Sequence, residues 1–277
     1  MERIKFDFTQ ADAVADTLPK LEWFRVLGIP VSVTSVEDTA ARIKAWAHDA
    51  HPRFVCLREV PSLMASRADP TLRALHEDAA IVTPDGMPLA WMGRGLGLPV
   101  ARTCGRDLMR HICIDEQGAG LKHFFYGGKE GVAEKLTARL KAESPDLDIV
   151  GTHCPPFRDL TPDEEAEVVD KIIASGADVV WVGLSSPRQD LWMWQHRARL
   201  PQTLVGVGAA FDFLSGEVKV APAWMRKRGL ESVYRLISEP RRLWRRYLIL
   251  VPKFLLALLR EGSLGTLIKG ARNMPTK

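Results

Sequence analysis

The chain has 277 residues, of which 46% are hydrophobic and 26% charged, and its formal net charge is +4. This composition supports a substantial core in one large domain or two small ones, and it excludes a disordered, collagen-like or disulfide-scaffold protein. The four cysteines form neither a CxxC pair nor a Cys/His cluster with zinc spacing. We therefore expect free thiols, no metal site and a reducing compartment.

The first 22 residues contain several acids and no apolar core. This pattern predicts a loosely ordered leader rather than a signal peptide, and we expect the protein to remain in the cytoplasm. From residue 23 the chain changes character, because short apolar runs begin to alternate with stretches of helical periodicity.

Six apolar runs are predicted strands, and eight stretches are predicted helices. The strands are Arg53–Leu57, Ala80–Thr83, Lys122–Tyr126, Asp148–Thr152, Asp178–Gly183 and Thr203–Val207. The helices lie near Val36–Ala50, Pro61–Ser66, Pro70–Asp78, Met87–Leu96, Gly105–Glu116, Gly131–Ala142, Pro162–Ser175 and Pro187–Leu200. This alternation predicts an α/β fold, with a mostly parallel sheet flanked by helices, over residues 23–216. Thr161 and Ser186 each precede a proline and are candidate N-caps.

Charge is distributed unevenly along the chain. Residues 219–277 hold 14 Lys and Arg against three acids, whereas residues 1–218 hold the other 24 bases and 31 acids. A basic tail on an acidic body predicts an anionic partner, either phospholipid or nucleic acid. A solvated basic helix is the simpler alternative for the charge alone.

The apolar content of this tail favours a membrane. Its segment RRLWRRYLILVPKFLLALLREG has apolar runs far shorter than the roughly 20 residues of a spanning helix, and Pro252 is predicted to kink or break a helix. Apolar faces flanked by arginines, with Trp and Tyr nearby, are typical of segments in the lipid headgroup region. We expect residues 217–277 to be a basic helical appendage, bound peripherally to the inner face of the cell membrane and not to nucleic acid. A helix packed on the core is the alternative.

Ligands of parallel α/β sheets bind at the carboxyl ends of strands, so the loops that leave the predicted strands are candidate sites. The first loop, in TPDGMP, contains Asp85 and Gly86. Asp85 could be a general base that takes a proton from a sugar hydroxyl, and Gly86 would allow close approach of a ligand. The alternative is that Asp85 only caps the following helix, which local sequence alone favours slightly.

Three further loops carry small or polar residues. Gly127 and Gly128 could expose backbone N–H groups to a diphosphate, although a plain glycine turn explains them equally well. Gln189 suits sugar or uracil recognition and Arg188 suits a phosphate, while Ser186 either joins them or caps the helix. Asp212, within GVGAAFDFLSG, has either a binding or a structural role.

Seven sequence blocks follow one another over residues 26–248: TPDGMPLAW, RTCGRD, FYGG, CPPF, VGLSSPRQD, GVGAAFDFLSG and APAWMRKRGLESVYRLISEPRRLWRRYL. Each block alone is unspecific. Their order and spacing together resemble the WecG/TagA/CpsF family of bacterial glycosyltransferases.

This resemblance implies a Rossmann-like fold and an inverting, metal-independent and cofactor-free transfer of a hexose or N-acetylhexosamine from a UDP-sugar. The implied acceptor is an undecaprenyl-diphosphate-linked saccharide, used in exopolysaccharide or other cell-surface glycan synthesis. Asp85 matches the family's proposed base, Gln189 matches an active-site glutamine, and Arg102 and Arg106 of the RTCGRD block are implied donor or substrate contacts. The arginines implied to reach the lipid diphosphate are Arg235, Arg241, Arg242 and Arg245.

One stretch departs from the family pattern. Many members carry Thr-x-Asn where this chain has Leu57-Arg58-Glu59. Leu57 removes a hydroxyl and Glu59 replaces an amide with a carboxylate that could share or assume the role of the base. The departure implies a different sugar from that of the best-known members, and it favours an exopolysaccharide enzyme that transfers glucose or a related hexose over teichoic-acid synthesis.

Two other functions and one assembly are kept as alternatives. A catalytically inactive, membrane-recruited nucleotide-sugar-binding protein would retain the fold with the altered site. A nucleotide-dependent oxidoreductase would use the same sheet, but the dinucleotide fingerprint is missing from the sequence. A homo-oligomer is compatible with every one of these functions.

Overall fold

Six parallel strands form the central sheet of this protein, as seen in a computed structural model that describes residues 18–47, 51–222, 224–225 and 228–260. The strands are β1 (Trp23–Val26), β2 (Ile29–Ser32), β3 (Arg53–Arg58), β4 (Ile81–Pro84), β5 (Lys122–Gly127), β6 (Asp148–His153), β7 (Val179–Gly183) and β8 (Thr203–Gly206). The sheet order is β4-β3-β8-β7-β5-β6, and β1 and β2 form a separate antiparallel hairpin. The predicted α/β fold is confirmed, with each predicted sheet strand placed to within one residue.

Helices connect and cover these strands. They are α1 (Val36–Trp46), α2 (Val60–Ala68), α3 (Pro70–Asp78), α4 (Met87–Gly95), α5 (Gly105–Arg110), α6 (Val132–Glu143), α7 (Pro162–Ala174), α8 (Arg188–His196), α9 (Ala210–Leu214), α10 (Glu231–Ser238), α11 (Pro240–Arg245) and α12 (Val251–Arg260). Two π-helical turns extend them, His111–Asp115 after α5 and Arg246–Leu250 between α11 and α12. Residues 1–17 of the predicted leader, residues 48–50 and residues 261–277 lie outside the described ranges.

The sheet separates two apolar layers because successive strand residues point to opposite faces. Phe54 and Cys56 of β3 pack with residues of α3, α7 and α8 in one buried cluster. Val55 and Leu57 of the same strand pack with residues of α1, α5, α6 and α9 in the other. Burial on both faces explains why five of the six predicted strands were continuous apolar runs, while the edge strand β6 is only partly buried.

The β1–β2 hairpin was not predicted. Its two-residue turn has positive φ at both positions, +51° at Leu27 and +80° at Gly28, which suits the right-handed twist of paired strands. Pro30 lies within β2 and weakens the strand signal of the sequence. The hairpin contributes Phe24 and Val31 to a third buried cluster, shared with α2, α4 and α12.

One stripe of the C-terminal appendage packs on the core. Phe254 and Ala257 of α12 are buried in the third cluster, whereas Leu255, Leu256 and Leu259 on the same helix are exposed. The alternative of core packing therefore holds for one face only. No helix within the described ranges combines the length and the apolar content needed to cross a bilayer.

Two local predictions need correction. Pro252 does not break the helix: the backbone stays helical from Pro240 to Arg260, and the π-helical turn Arg246–Leu250 directly precedes the proline. Ser186 is not an N-cap, since α8 begins at Arg188 and the Ser186 hydroxyl donates to Asp190 instead. Thr161 is confirmed as the N-cap of α7, in a capping box with Glu164.

The end of β5 gives a stability prediction. Gly127 has a φ of +117°, and a Cβ added there would lie 2.7 Å from the carbonyl carbon of Gly183 in β7. We expect Gly127→Ala to lower the free energy of unfolding by more than about 2 kcal/mol, measured by urea denaturation, because strain and a backbone clash combine.

Gly97→Ala is the matched control for this substitution. Gly97 also has a positive φ, +76°, but an added Cβ would meet no atom within 4 Å. We expect a loss of about 1 kcal/mol from backbone strain alone. Equal losses in the two variants would show that the approach of β5 to β7 is not tight.

Candidate active site

A cavity of about 600 Å³ lies at the carboxyl ends of β3, β4, β7 and β8. This is the edge at which parallel α/β sheets bind ligands. The appendage closes one side of it with residues of α10. The predicted site residues among its lining are Glu59, Asp85, Gly86, Arg102, Arg106, Ser186, Gln189 and Arg235.

Asp85 is held at the cavity by the neighbouring strand. Its backbone N–H and that of Gly86 donate to the carbonyl of Arg58, over 2.7 and 3.2 Å. Gly86 is the N-cap residue of α4 and no side chain caps this helix, so the carboxylate of Asp85 is not used as a cap. Glu59 follows β3 on the adjacent strand, is the N-cap residue of α2 and lines the same cavity.

The environment of Asp85 suits a base that works near neutral pH. Burial raises the pKa of its carboxyl to about 6, against the lowering effect of Arg102 and Arg235 and with a further rise from Glu231 and Asp107. The side chain is 32% exposed, and it lines the cavity. A carboxylate with this pKa is ionised at pH 7 yet more basic than an ordinary aspartate.

A buried ion pair holds Ser186, which lines the cavity. Arg58 Nη1 lies 2.9 Å from Asp190 Oδ2, and both side chains are 1% exposed. The Ser186 hydroxyl donates to the same carboxylate oxygen over 2.6 Å and accepts from Arg58 over 3.0 Å. The pair ties β3 to α8 and fixes Ser186 at the cavity. Sequence reasoning missed it, although an arginine that ends an apolar strand is an unusual residue that needs a buried partner.

Gln189 presents an amide to the cavity in a fixed orientation. Its side chain is buried, and Oε1 accepts from the backbone N–H of Gly208 over 2.9 Å. This bond leaves Nε2 as a donor for a ligand. A Cβ at Gly206 would lie 2.9 Å from Nε2, so the small residues of the GVGAAFDF loop make room for this amide.

Three arginines surround the cavity, and they differ in their ion-pair and hydrogen-bond partners. Arg106 is paired with Asp107 and, over 3.2 Å, with Glu231 of the appendage. Arg102 is paired with Glu231 over 2.9 Å, and its Nε donates to the backbone carbonyl of Asp85 over 2.7 Å. Arg235 Nε is buried without a hydrogen-bond partner among the described residues. Arg235 therefore has donor capacity left for an anionic ligand. Glu231 was assigned no role by the sequence analysis.

Four predicted site residues are not among the described residues that line the cavity. Gly127 ends β5 and Gly128 follows it, and the backbone N–H of Gly128 donates to Gly183 over 3.0 Å. Arg188 points away and donates to the carbonyl of Arg158. Asp212 lies on α9, half-buried.

Two further appendage arginines, Arg241 and Arg245, lie outside the cavity lining as well. Arg241 is exposed, and the guanidinium of Arg245 lies 5.3 Å from the centre of the Trp244 ring. The side chain of Arg242 is outside the described part of the structure. Arg235 is thus the arginine of the predicted lipid-diphosphate set that lines the cavity in the described structure.

Few residues in the described part of the chain could bind a metal ion or react as thiols. No three His, Cys, Asp or Glu side chains among the described residues are grouped so that they could hold a metal ion. The four cysteines are free, and Cys56, Cys104 and Cys113 are buried. Burial raises the pKa of Cys56 to about 12, so this thiol stays protonated at neutral pH.

Comparison with known proteins agrees with this site. The chain matches the Glycosyl transferase WecG/TagA/CpsF family over residues 24–266. It belongs to this family. The match covers the β1–β2 hairpin, the sheet and most of the appendage, so the cavity and its closing helix both lie within the WecG/TagA/CpsF region.

Two curated relatives have the same name, N-acetylglucosaminyldiphosphoundecaprenol N-acetyl-beta-D-mannosaminyltransferase. The protein from Bacillus spizizenii strain W23 is 33% identical over 195 residues, which are 70% of this chain and 73% of the relative. The protein from Bacillus subtilis strain 168 is 31% identical over 182 residues, 65% of this chain and 68% of the relative. The similarity thus extends over about two thirds of each protein.

The buried ion pair of Arg58 with Asp190 gives a prediction about stability. We expect Asp190→Asn to lower the free energy of unfolding by about 3–5 kcal/mol, because it leaves the guanidinium of Arg58 buried without an opposite charge. Chemical denaturation followed by tryptophan fluorescence measures this loss.

Glu143→Gln is the control for the ion pair. Glu143 pairs with Arg110 over 3.0 Å, but both side chains are about half exposed. An exposed pair contributes little, so we expect a change within about 1 kcal/mol. A loss in Asp190→Asn no larger than this would show that Arg58 does not depend on its partner.

Proposed function

We propose that this protein is an inverting, metal-independent glycosyltransferase that moves a hexose or N-acetylhexosamine from a UDP-sugar to an undecaprenyl-diphosphate-linked saccharide. The observation that carries the proposal is the Asp85 carboxylate, with its raised pKa, in a cavity that also contains Arg102 and Arg235. A base and cations side by side match a reaction in which a hydroxyl loses a proton while a diphosphate leaves.

The reaction is a single displacement at the anomeric carbon of the donor. The acceptor hydroxyl attacks this carbon, Asp85 takes the hydroxyl proton, and the bond to the UDP oxygen breaks with its electron pair going to UDP. Attack opposite to the leaving group inverts the anomeric configuration. Arg102 and Arg235 offset the negative charge that develops on the departing diphosphate.

The names of the relatives support the acceptor. Both describe transfer to N-acetylglucosaminyldiphosphoundecaprenol, and we propose the same class of acceptor here. The donor is proposed as a UDP-hexose or UDP-N-acetylhexosamine, with Leu57 and Glu59 in the cavity as the residues that set the sugar. UDP-N-acetylmannosamine and UDP-glucose are therefore the first donors to compare, and the product serves exopolysaccharide or another cell-surface glycan.

The surface of the appendage supports peripheral binding at the inner face of the membrane. Trp244, Leu248 and Leu259 are exposed there, and Arg245 and Lys253 are exposed beside them. Apolar side chains insert among lipid headgroups while arginine and lysine pair with anionic phosphates. A lipid-linked acceptor would then meet the cavity at the membrane surface.

The assignment of the base is tested with Asp85→Asn. We expect kcat for sugar transfer to fall by about 10² to 10⁴, the usual contribution of a general base, while UDP still stabilises the protein against heat. For the unmodified protein, kcat/KM should fall as the pH drops through about 6, because protonation of Asp85 removes the base.

Glu59→Gln separates the two carboxylates. Loss of transfer in Glu59→Gln, together with retained transfer in Asp85→Asn, would make Glu59 the base. That result would contradict the assignment of Asp85. A protein that binds UDP-sugars but shows no transfer of any donor to the lipid-linked acceptor would instead be the inactive binding protein.

The membrane surface is tested with the double variant Leu256→Glu, Leu259→Glu. Both side chains are more than half exposed, so the fold should be retained. We expect binding to vesicles of phosphatidylglycerol and phosphatidylethanolamine to weaken at least about tenfold in a sedimentation assay, because two apolar contacts are lost and two anionic repulsions gained.

Ile173→Glu is the matched control for the double variant. Ile173 is 43% exposed on α7, outside the appendage, and its replacement should leave vesicle binding unchanged. Equal sedimentation of the double variant and the unmodified protein would contradict the proposed surface.

A further inference from the structure

One carboxylate of the cavity comes from the appendage. Glu231, the first residue of α10, uses one oxygen for each of two arginines: Oε2 lies 2.9 Å from Arg102 Nη2, and Oε1 lies 3.2 Å from Arg106 Nη1. Its side chain is only 14% exposed. The carboxylate therefore bridges the appendage to the RTCGRD segment of the core, through a hydrogen bond from Arg106 and an ion pair with Arg102 in a nearly dry environment.

Arg102 also contacts the loop that contains Asp85. Arg102 Nε donates to the backbone carbonyl of Asp85, and Arg102 Nη2 lies 3.9 Å from the Asp85 carboxylate. With Glu231 holding the other side of Arg102, the guanidinium has a defined position between base and appendage. A long side chain without this second anchor would regain rotamer freedom.

Glu231 belongs to the wall of the cavity rather than filling it. The cavity has about 600 Å³ of free volume with Glu231 in place, and Asp85, Gln189 and Arg235 also line it. Arg106 is 8% exposed and pairs with both Asp107 and Glu231, so it helps to hold Glu231 in place. Glu231 is therefore part of the wall, and a diphosphate could enter the cavity without displacing it.

We propose that Glu231 is a positioning residue that couples the seating of the appendage to the placement of Arg102 beside Asp85. The inference rests on the proposed transferase function. Movement of α10 away from the core would withdraw Glu231 from both arginines, so the site is arranged for transfer only while the appendage is seated.

Glu231 also acts on Asp85 through charge. The charged groups that face Asp85 are Arg102 and Arg235, which lower its pKa, and Glu231 and Asp107, which raise it; Glu59 lines the same cavity. Removal of the negative charge of Glu231 should lower the pKa of Asp85. The acid limb of the pH profile then moves to lower pH, a change that a merely structural role of Glu231 would not produce.

The test is Glu231→Gln, studied in the full chain with the lipid-linked acceptor. We expect kcat to fall roughly 10- to 100-fold with a smaller change in KM, since misplacement of a catalytic group costs rate. The acid limb of kcat/KM should move to lower pH. Hydrogen exchange should increase together in residues 231–238 and in residues 85–86 and 101–104.

Two further variants complete the test. Glu231→Asp keeps the charge with a shorter reach, so it should lower kcat without moving the acid limb. Glu217→Gln removes a carboxylate of the same appendage that pairs with Lys135 over 2.5 Å at the exposed surface, and it should match the unmodified protein in kcat and pH profile.

The outcomes separate this inference from the proposed function. A kcat within twofold and an unmoved acid limb in Glu231→Gln would overturn the positioning role, as would a lowered melting temperature without either kinetic change. If the unmodified protein transfers no sugar, the proposed function fails, and hydrogen exchange still decides: unchanged exchange in residues 85–86 and 101–104 of Glu231→Gln overturns the coupling.

Discussion

The arrangement of the site depends on how Arg58 is buried. A guanidinium in the interior is costly unless an opposite charge and hydrogen bonds compensate it, and here Asp190 and Ser186 bind its Nη1, while Nε and Nη2 are buried without a hydrogen-bond partner among the described residues. The backbone carbonyl of the same residue accepts the N–H groups of Asp85 and Gly86. One residue at the end of β3 therefore sets the positions of both the proposed base and the loop after β7.

In the cavity, the groups around Asp85 raise the pKa of its carboxyl but leave it ionised at pH 7. Burial raises the pKa of Asp85 and Arg102 opposes it, with Glu231 and Arg235 acting in opposite directions from the appendage. The appendage thus supplies one anion and one cation to the cavity while its apolar stripes divide between core and solvent. A single segment closes the site and presents the surface proposed to meet lipid.

Much of the fold followed from local pattern. Five of the six sheet strands are apolar runs buried on both faces, and the caps and prolines around α7 mark its start, so sequence alone placed them. The β1–β2 hairpin escaped because Pro30 weakens the strand signal and Leu27 is an unusual residue at positive φ. Gly127 and Gly128 suited a diphosphate or a plain glycine turn equally in the sequence, and only the structure shows that Gly127 lies close against Gly183 of β7.

The sequence by itself determined the α/β class, the candidate loops at the strand ends, Asp85 and Gln189 within them, and the basic amphipathic tail, because each depends on residues close together in the chain. Tertiary structure decided which loops meet. The pair of Arg58 with Asp190 spans 132 residues and that of Arg106 with Glu231 spans 125. Such pairs leave no periodicity in the sequence, since only the folded sheet and the docked appendage bring their charges within a few ångströms of each other.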